Sequence, residues 1–208
     1  MEVLADRVAV TGAHGALHTA TSLVVRAGEV AVVAGHPGPG LTAFGLALTG
    51  RLVPSAGAVT PPAPDLRAAS ALVDSPGVSA PEDNLSAADV VAEELTLAGA
   101  SARRPEITRV LDEYGVDGRL RFEDVPAASR VALLTGLAAR RPGVRLLVLD
   151  NPDRHGDEPA FWWDTALAHA RDGLAVVALV AAVTAPLLPV TPARLGELDQ
   201  PAPTEATR

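Results

Sequence analysis

The run Gly35, His36, Pro37, Gly38, Pro39, Gly40, Leu41, Thr42 carries the most specific chemical pattern in the chain. Glycines at this spacing let backbone N–H groups wrap a phosphate, a helix beginning just after them directs its positive end at that phosphate, and the threonine hydroxyl can reach a magnesium ion. This is the spacing of a P-loop, with Leu41 where a lysine belongs. Losing a charge-assisted lysine contact removes about 1.5–3 kcal/mol of phosphate binding, roughly ten- to a hundredfold in affinity. His36 sits inside the loop, where it either touches phosphate or simply faces solvent. A tight strand-to-helix turn could have the same composition, and these residues alone do not separate the two readings.

A phosphate loop works only between a buried strand and a helix, and the flanking residues supply both. Glu29 to Ala34 is a short apolar run of the kind found in a strand covered on both faces, and Leu41 to Arg51 has apolar residues at helical spacing, stopped by Gly50 and Pro54. Ahead of them, Val3 to Val10 and Thr19 to Arg26 read as antiparallel strands around a Gly- and His-containing loop, Gly12 to His18. Ser55 to Pro64 reads as a loop and Ala69 to Asp74 as a further strand. Ser86 to Ala98, Thr108 to Tyr114 and Ala127 to Arg140 read as helices. Then Val144 to Asp150 and Leu174 to Val183 return to buried strands, with a helix over Pro159 to Ala170. The fold class is α/β: a P-loop NTPase-like sheet core, an N-terminal antiparallel β portion and an inserted helical subdomain over about 79–130. Residues 1–196 make one domain, and the Pro-, Thr- and acid-rich tail 197–208 is expected to be disordered.

Composition removes several chemistries. Cysteine is absent, so disulfides, thiolate nucleophiles and Cys-ligated metals are excluded. His14 and His18 are four apart but fall in the predicted loop, a poor platform for a shared metal. A net charge of −8 argues against nucleic acid as a partner. No apolar run approaches the roughly 18–20 residues of a membrane span, so any membrane association must go through a partner. No secretory signal is visible at the start, and the expected compartment is the cytoplasm. All 17 basic residues are arginine, so no lysine elsewhere can replace the one missing from the loop.

Longer segments carry a family resemblance. Val25 to Gly35 resembles the entry to the P-loop in ABC transporter ATPases, and Leu48 to Gly57 is similar to the L-x-G-L-x-x-P-x-x-G stretch that follows it there. Leu146 to Pro152 resembles the Walker B run of that family, with Asn151 in place of the catalytic glutamate. Arg130 to Pro142 is similar to the helix after the family's signature motif. The resemblance covers Val3 to about Thr184. It implies an ATP site formed by Gly35, His36, Gly38, Gly40, Leu41, Thr42 and Asp150, with Thr42 and Asp150 as magnesium ligands.

The departures from the family pattern are as informative as the matches. The signature LSGGQ is replaced by Val125 to Ser129, the adenine-stacking aromatic aligns near Thr11, the Q-loop glutamine falls near Asp74, and the switch histidine falls at about Ala181. Asn151 cannot take a proton as a carboxylate could, and a general base typically contributes about 10² to 10⁴ in rate. Substitution by Asp153 or Asp157 would need a backbone shift. The resemblance thus implies a degenerate cassette with weakened ATP and magnesium binding, no catalytic residue and a regulatory or assembly role. Its expected partners are a membrane permease and a second ABC subunit or a copy of itself, at the inner face of the cell membrane. The alternative is an active ABC ATPase with atypical motif residues. An unrelated kinase- or hydrolase-type enzyme is disfavoured, because no Gly-x-Ser-x-Gly elbow or lysine-bearing loop is present.

Overall fold

Val30 to Gly35, Leu146 to Asp150 and Ala175 to Val180 are apolar at every position but the strand ends, and such runs stay dry only when both sheet faces are covered. The computed structural model describes residues 1–156 and 158–206. In it these runs are β3 (Glu29–Gly35), β6 (Leu146–Asp150) and β7 (Ala175–Ala181), parallel neighbours in the order β6, β7, β3. β5 (Ser70–Val73) extends the sheet beyond β6, and the short β8 (Ala193–Arg194) lies on the other side of β3. Alternation along β3 sorts the core into two layers: Val30, Val32 and Ala34 face one side, Ala31 and Val33 the other.

The second of those layers packs against α1 (Pro39–Leu48) and a three-stranded antiparallel sheet ordered β2 (Gly15–Arg26), β1 (Glu2–Gly12), β4 (Ala56–Thr60). The first packs against α3 (Ala87–Leu97), α4 (Arg104–Glu113), α5 (Ala127–Ala139) and α6 (Ala160–Arg171). Ser86 caps α3 by accepting the Asp89 N–H at 3.1 Å. The result is a mixed α/β fold with a parallel core sheet and an antiparallel β portion.

Several local expectations need correction. Residues 55–64 hold β4 and the start of α2 (Ala63–Ala69), not a loop; β4 pairs with the edge of β1, from Leu4 opposite Thr60 to Ala9 opposite Ala56, and Pro64 lies in the first turn of α2, where a missing N–H costs nothing. His18 lies within β2, buried, with Nδ1 hydrogen-bonded to the Thr19 carbonyl at 2.9 Å, and burial lowers its pKa. Of the two adjacent tryptophans of α6, which would by default give one packed ring and one surface ring, both Trp162 and Trp163 are buried, edge to face. The expectation of disorder from Glu197 onward does not match the described part of that tail: β9 (Thr204–Glu205) pairs antiparallel with Glu29 and Val30 of β3. Strand pairing uses main-chain groups, so a polar tail satisfies the free edge beside β8 as well as an apolar one.

Candidate functional site

Parallel strands bring their C-terminal ends to one rim of the sheet, where crossover loops meet. β3 delivers the glycine loop there and β6 delivers Asp150, with β7 between them. Gly38 precedes α1 with φ 144°, a conformation only glycine adopts easily, and Pro39 opens the helix. His36 and Gly38 are exposed, whereas Gly35 and Gly40 are buried. A side chain on Gly40 would meet the Leu17 carbonyl oxygen of β2 at 2.6 Å, so this glycine is needed for packing whether or not phosphate is present.

Leu41 departs from its sequence-based assignment to the ligand site. Its side chain is completely buried in the core layer shared with Phe44 and Leu48, and it does not line the cleft above the loop. An apolar side chain at this position turns inward under the hydrophobic effect, where a lysine would seek phosphate or water.

Thr42 and Asp150 do come together. The Thr42 hydroxyl donates to Asp150 Oδ2 at 2.7 Å, the Ser75 hydroxyl donates to the same oxygen at 2.6 Å, and Asn151 Nδ2 donates to Oδ1 at 2.6 Å. The carboxylate is 1% exposed, and burial raises its pKa despite these donors. Asn151 holds a left-handed backbone conformation, φ 51°, which its short amide side chain tolerates. Arg154 Nη1 donates to the Asp150 carbonyl at 2.8 Å and to the Asn151 carbonyl at 3.3 Å.

Beside this cluster lies a second buried carboxylate. Asp74, at the end of β5, accepts Nε and Nη2 of Arg130 from α5, pairs with Arg154 Nη2 at 2.9 Å and hydrogen-bonds His155 Nε2 at 2.8 Å. Burial alone would raise its pKa, but the His155 and Arg130 hydrogen bonds and the charge of Arg154 together lower it to about 2. His155, partly buried, thus turns toward Asp74 instead of into solvent. Asp153 accepts the Ala181 N–H at 2.9 Å and the Thr184 hydroxyl at 2.6 Å through Oδ2. Asp157 lies outside the described residues. The sequence reading missed Ser75 and Arg154 because neither stands in a recognisable motif.

A cleft of about 920 Å³ opens over the loop, walled by Pro37, Pro39 and Leu46 on one side and by Asn151, Val183 and Leu187 on another. Among the described residues its charged wall residues are Asp153 and Arg154. Thr42 and Asp150, the residues expected to hold magnesium, are bonded to each other.

No family model matches the sequence, and no curated protein matches it. Solved structures do. The fold is that of the ATP-binding subunits of ABC transporters. A putative ABC transporter ATP-binding protein from Pyrococcus furiosus superposes with a TM-score of 0.69 at 15% identity, over 95% of this chain and 97% of that one. A nucleotide-free ATP-binding cassette from an ABC transporter gives 0.63 at 14% identity, over 86% and 81% of the two chains. An ATP-binding cassette in its ADP conformation gives 0.60 at 11% identity, over 87% and 82%. Among the described residues no helix is long and apolar enough to cross a membrane.

Proposed function

We propose that this cassette-fold protein is a degenerate ABC subunit that binds nucleotide weakly or not at all, does little or no hydrolysis, and serves a regulatory or assembly role. The observation that carries the reading is the state of Asp150: both carboxylate oxygens are already bonded, to Thr42, Ser75 and Asn151. A magnesium ion would have to compete with those donors, which leave Asp150 little acceptor capacity. The residues present do not fit a magnesium–triphosphate, because the loop lysine is replaced by a core leucine and the nearby arginine is committed to carbonyls and to Asp74. The position of the catalytic carboxylate holds Asn151, and Val125 to Ser129 supply none of the glycines through which a signature segment would approach a partner's phosphate.

The protein then acts through association. Its proposed setting is the cytoplasmic side of the membrane, docked on a permease and paired with a second ABC subunit or with itself. Loss of both halves of the composite site leaves neither arrangement an intact active centre, and positioning and charge stabilisation are what phosphoryl transfer depends on.

Phosphate release from ATP, measured on the purified chain and on the chain co-expressed with a candidate permease, should not exceed that of Asp150→Ala. Turnover in either preparation that disappears in Asp150→Ala would overturn the proposal in favour of an active ABC ATPase with atypical residues.

A further inference from the structure

The imidazole of His18 is shut into the seam between β2 and α1 with one ring nitrogen left unbonded. We propose that this seam is an acid-operated latch: a proton on His18 releases β2 from the first turns of α1 and loosens the cleft wall that Leu17 supplies. The device goes beyond the reading of the chain as a degenerate cassette and does not depend on whether nucleotide binds.

β2 and α1 meet closely at two successive residues. The Leu17 carbonyl oxygen occupies the space that a side chain on Gly40 would need, and Leu17 lines the cleft. His18, opposite Val10 of β1 and 6% exposed, meets the Phe44 ring nearly perpendicular, with ring centroids 5.4 Å apart. Gly40 and Phe44 are about one helical turn apart, so both contacts support the same face of α1. A shift of β2 at these two residues therefore removes the support of α1 on the face that begins at the glycine loop.

The hydrogen bonds fix which nitrogen carries the hydrogen. His18 Nδ1 lies 2.9 Å from the Thr19 carbonyl oxygen, which also accepts the Thr21 hydroxyl at 3.0 Å; a carbonyl oxygen only accepts, so Nδ1 bears the hydrogen and Nε2 a bare lone pair. Nε2 is buried without a partner. A lone pair against carbon is a modest loss, but protonation would put a charged N–H there with nothing to accept it. Among the described residues the charged or titratable side chains on the surrounding elements are Glu2, Asp6 and Arg7 of β1, His14 of the following turn, Arg26 of β2, His36 of the glycine loop, and Arg194 and Glu197 of the turn that binds Thr21 through Gly196. All of them are exposed, and α1 itself carries none. Burial accordingly lowers the His18 pKa below its ordinary value of about 6.5, with the Thr19 hydrogen bond opposing only in part. The neutral ring is the form the seam accepts, so the seam is at full strength above about pH 6.5 and weakens as pH falls below it.

NMR of the full, isotope-labelled chain between about pH 7.5 and about pH 5 reads both the ring and the seam. At neutral pH the His18 ring should carry its hydrogen on Nδ1. On acidification it should protonate below about pH 6, and the amides of Leu17 to Thr21 and of Gly40 to Phe44 should move with the same midpoint. Their exchange protection, corrected for intrinsic rates, should fall by up to about tenfold per pH unit. His18→Asn keeps a donor for the Thr19 carbonyl but cannot take up a proton, and His18→Phe fills the site with an apolar ring. In either variant the acid response of these amides should vanish while pH responses elsewhere in the chain persist. A ring hydrogen on Nε2, a His18 midpoint at or above about pH 6.5, or an unchanged seam response in a folded variant would each overturn the latch. Should neither variant fold, the wild-type tautomer and midpoint decide the matter.

Discussion

Arg130 on α5 grips Asp74 at the end of β5 with two parallel hydrogen bonds, Nε to Oδ2 at 3.1 Å and Nη2 to Oδ1 at 3.0 Å, although the residues are 56 positions apart. Both side chains are nearly inaccessible, 5% and 7% exposed. The pair fixes the helical layer to the sheet rim, and Arg154 and His155 join it from the segment after β6. Removing Arg130 takes two hydrogen bonds from a buried carboxylate that keeps Arg154 and His155, so Arg130→Met should destabilise the protein by about 1.5–3 kcal/mol in urea unfolding. Replacing Arg130 by lysine should recover only part of this, because a point charge cannot reproduce the bidentate fork.

Asp74 and Asp150 should give opposite pH slopes. The pKa of Asp74 is about 2 in the folded chain, below its unfolded value, so its stabilisation is complete above about pH 4 and is lost as pH falls toward 2, on the order of 2 kcal/mol in total. Asp150 is raised by burial, so its contribution is fully present below the unfolded value, about pH 3.9, and declines as pH rises through the folded pKa. Asp150→Asn should therefore equal or exceed wild type in melting temperature at neutral pH. A large loss of stability in that variant would mean that the carboxylate, and not merely its hydrogen bonds, holds the cluster together.

Leu41→Lys repairs the loop on paper but should not restore nucleotide binding. The wild-type side chain is fully buried in the core between sheet and α1. A lysine that stays inward buries an unpaired ammonium, and one that turns out toward the loop empties the space Leu41 fills, so a stability loss of about 2–5 kcal/mol is expected, measurable by denaturant titration. Calorimetry with MgATP should remain near the wild-type response.

The two loop glycines should fail for different reasons. Gly40→Ala places a methyl group 2.6 Å from the Leu17 carbonyl oxygen and should cost about 1–3 kcal/mol through overpacking against β2. At Gly38 nothing lies within 4 Å, and alanine should cost about 1 kcal/mol or more from its φ of 144° alone. Thermal melts of the two variants separate a steric from a conformational origin if Gly40→Ser, slightly larger again, falls below Gly40→Ala.

The core of the fold was legible because β3, β6 and β7 are uninterrupted apolar runs, and because glycine and proline punctuate the loop before α1. β4 was missed since its small residues, Ala56 to Thr60, form an exposed strand with almost no alternation to read. β9 was missed since its polar residues enter the sheet through main-chain bonds alone. At the site, the meeting of Thr42 with Asp150 followed from motif spacing. Ser75, Arg154 and the direction of Leu41 did not, because they depend on how side chains compete for a shared interior and not on any local pattern.

β3 lies between β7 on one side and β8 with β9 on the other, and every one of those partners comes from residue 175 or later. The strand that carries the glycine loop is made early and waits for its neighbours. At a synthesis rate of about 5–20 residues per second, the wait is roughly ten to thirty seconds. During it, both main-chain edges of an all-apolar segment are open to any other strand in the vicinity. Nascent chains of this protein thus have a window of vulnerability to aggregation that closes only once the residues from 175 onward have been made. Ribosome-bound fragments ending before Ala175 should engage chaperones that the finished chain ignores.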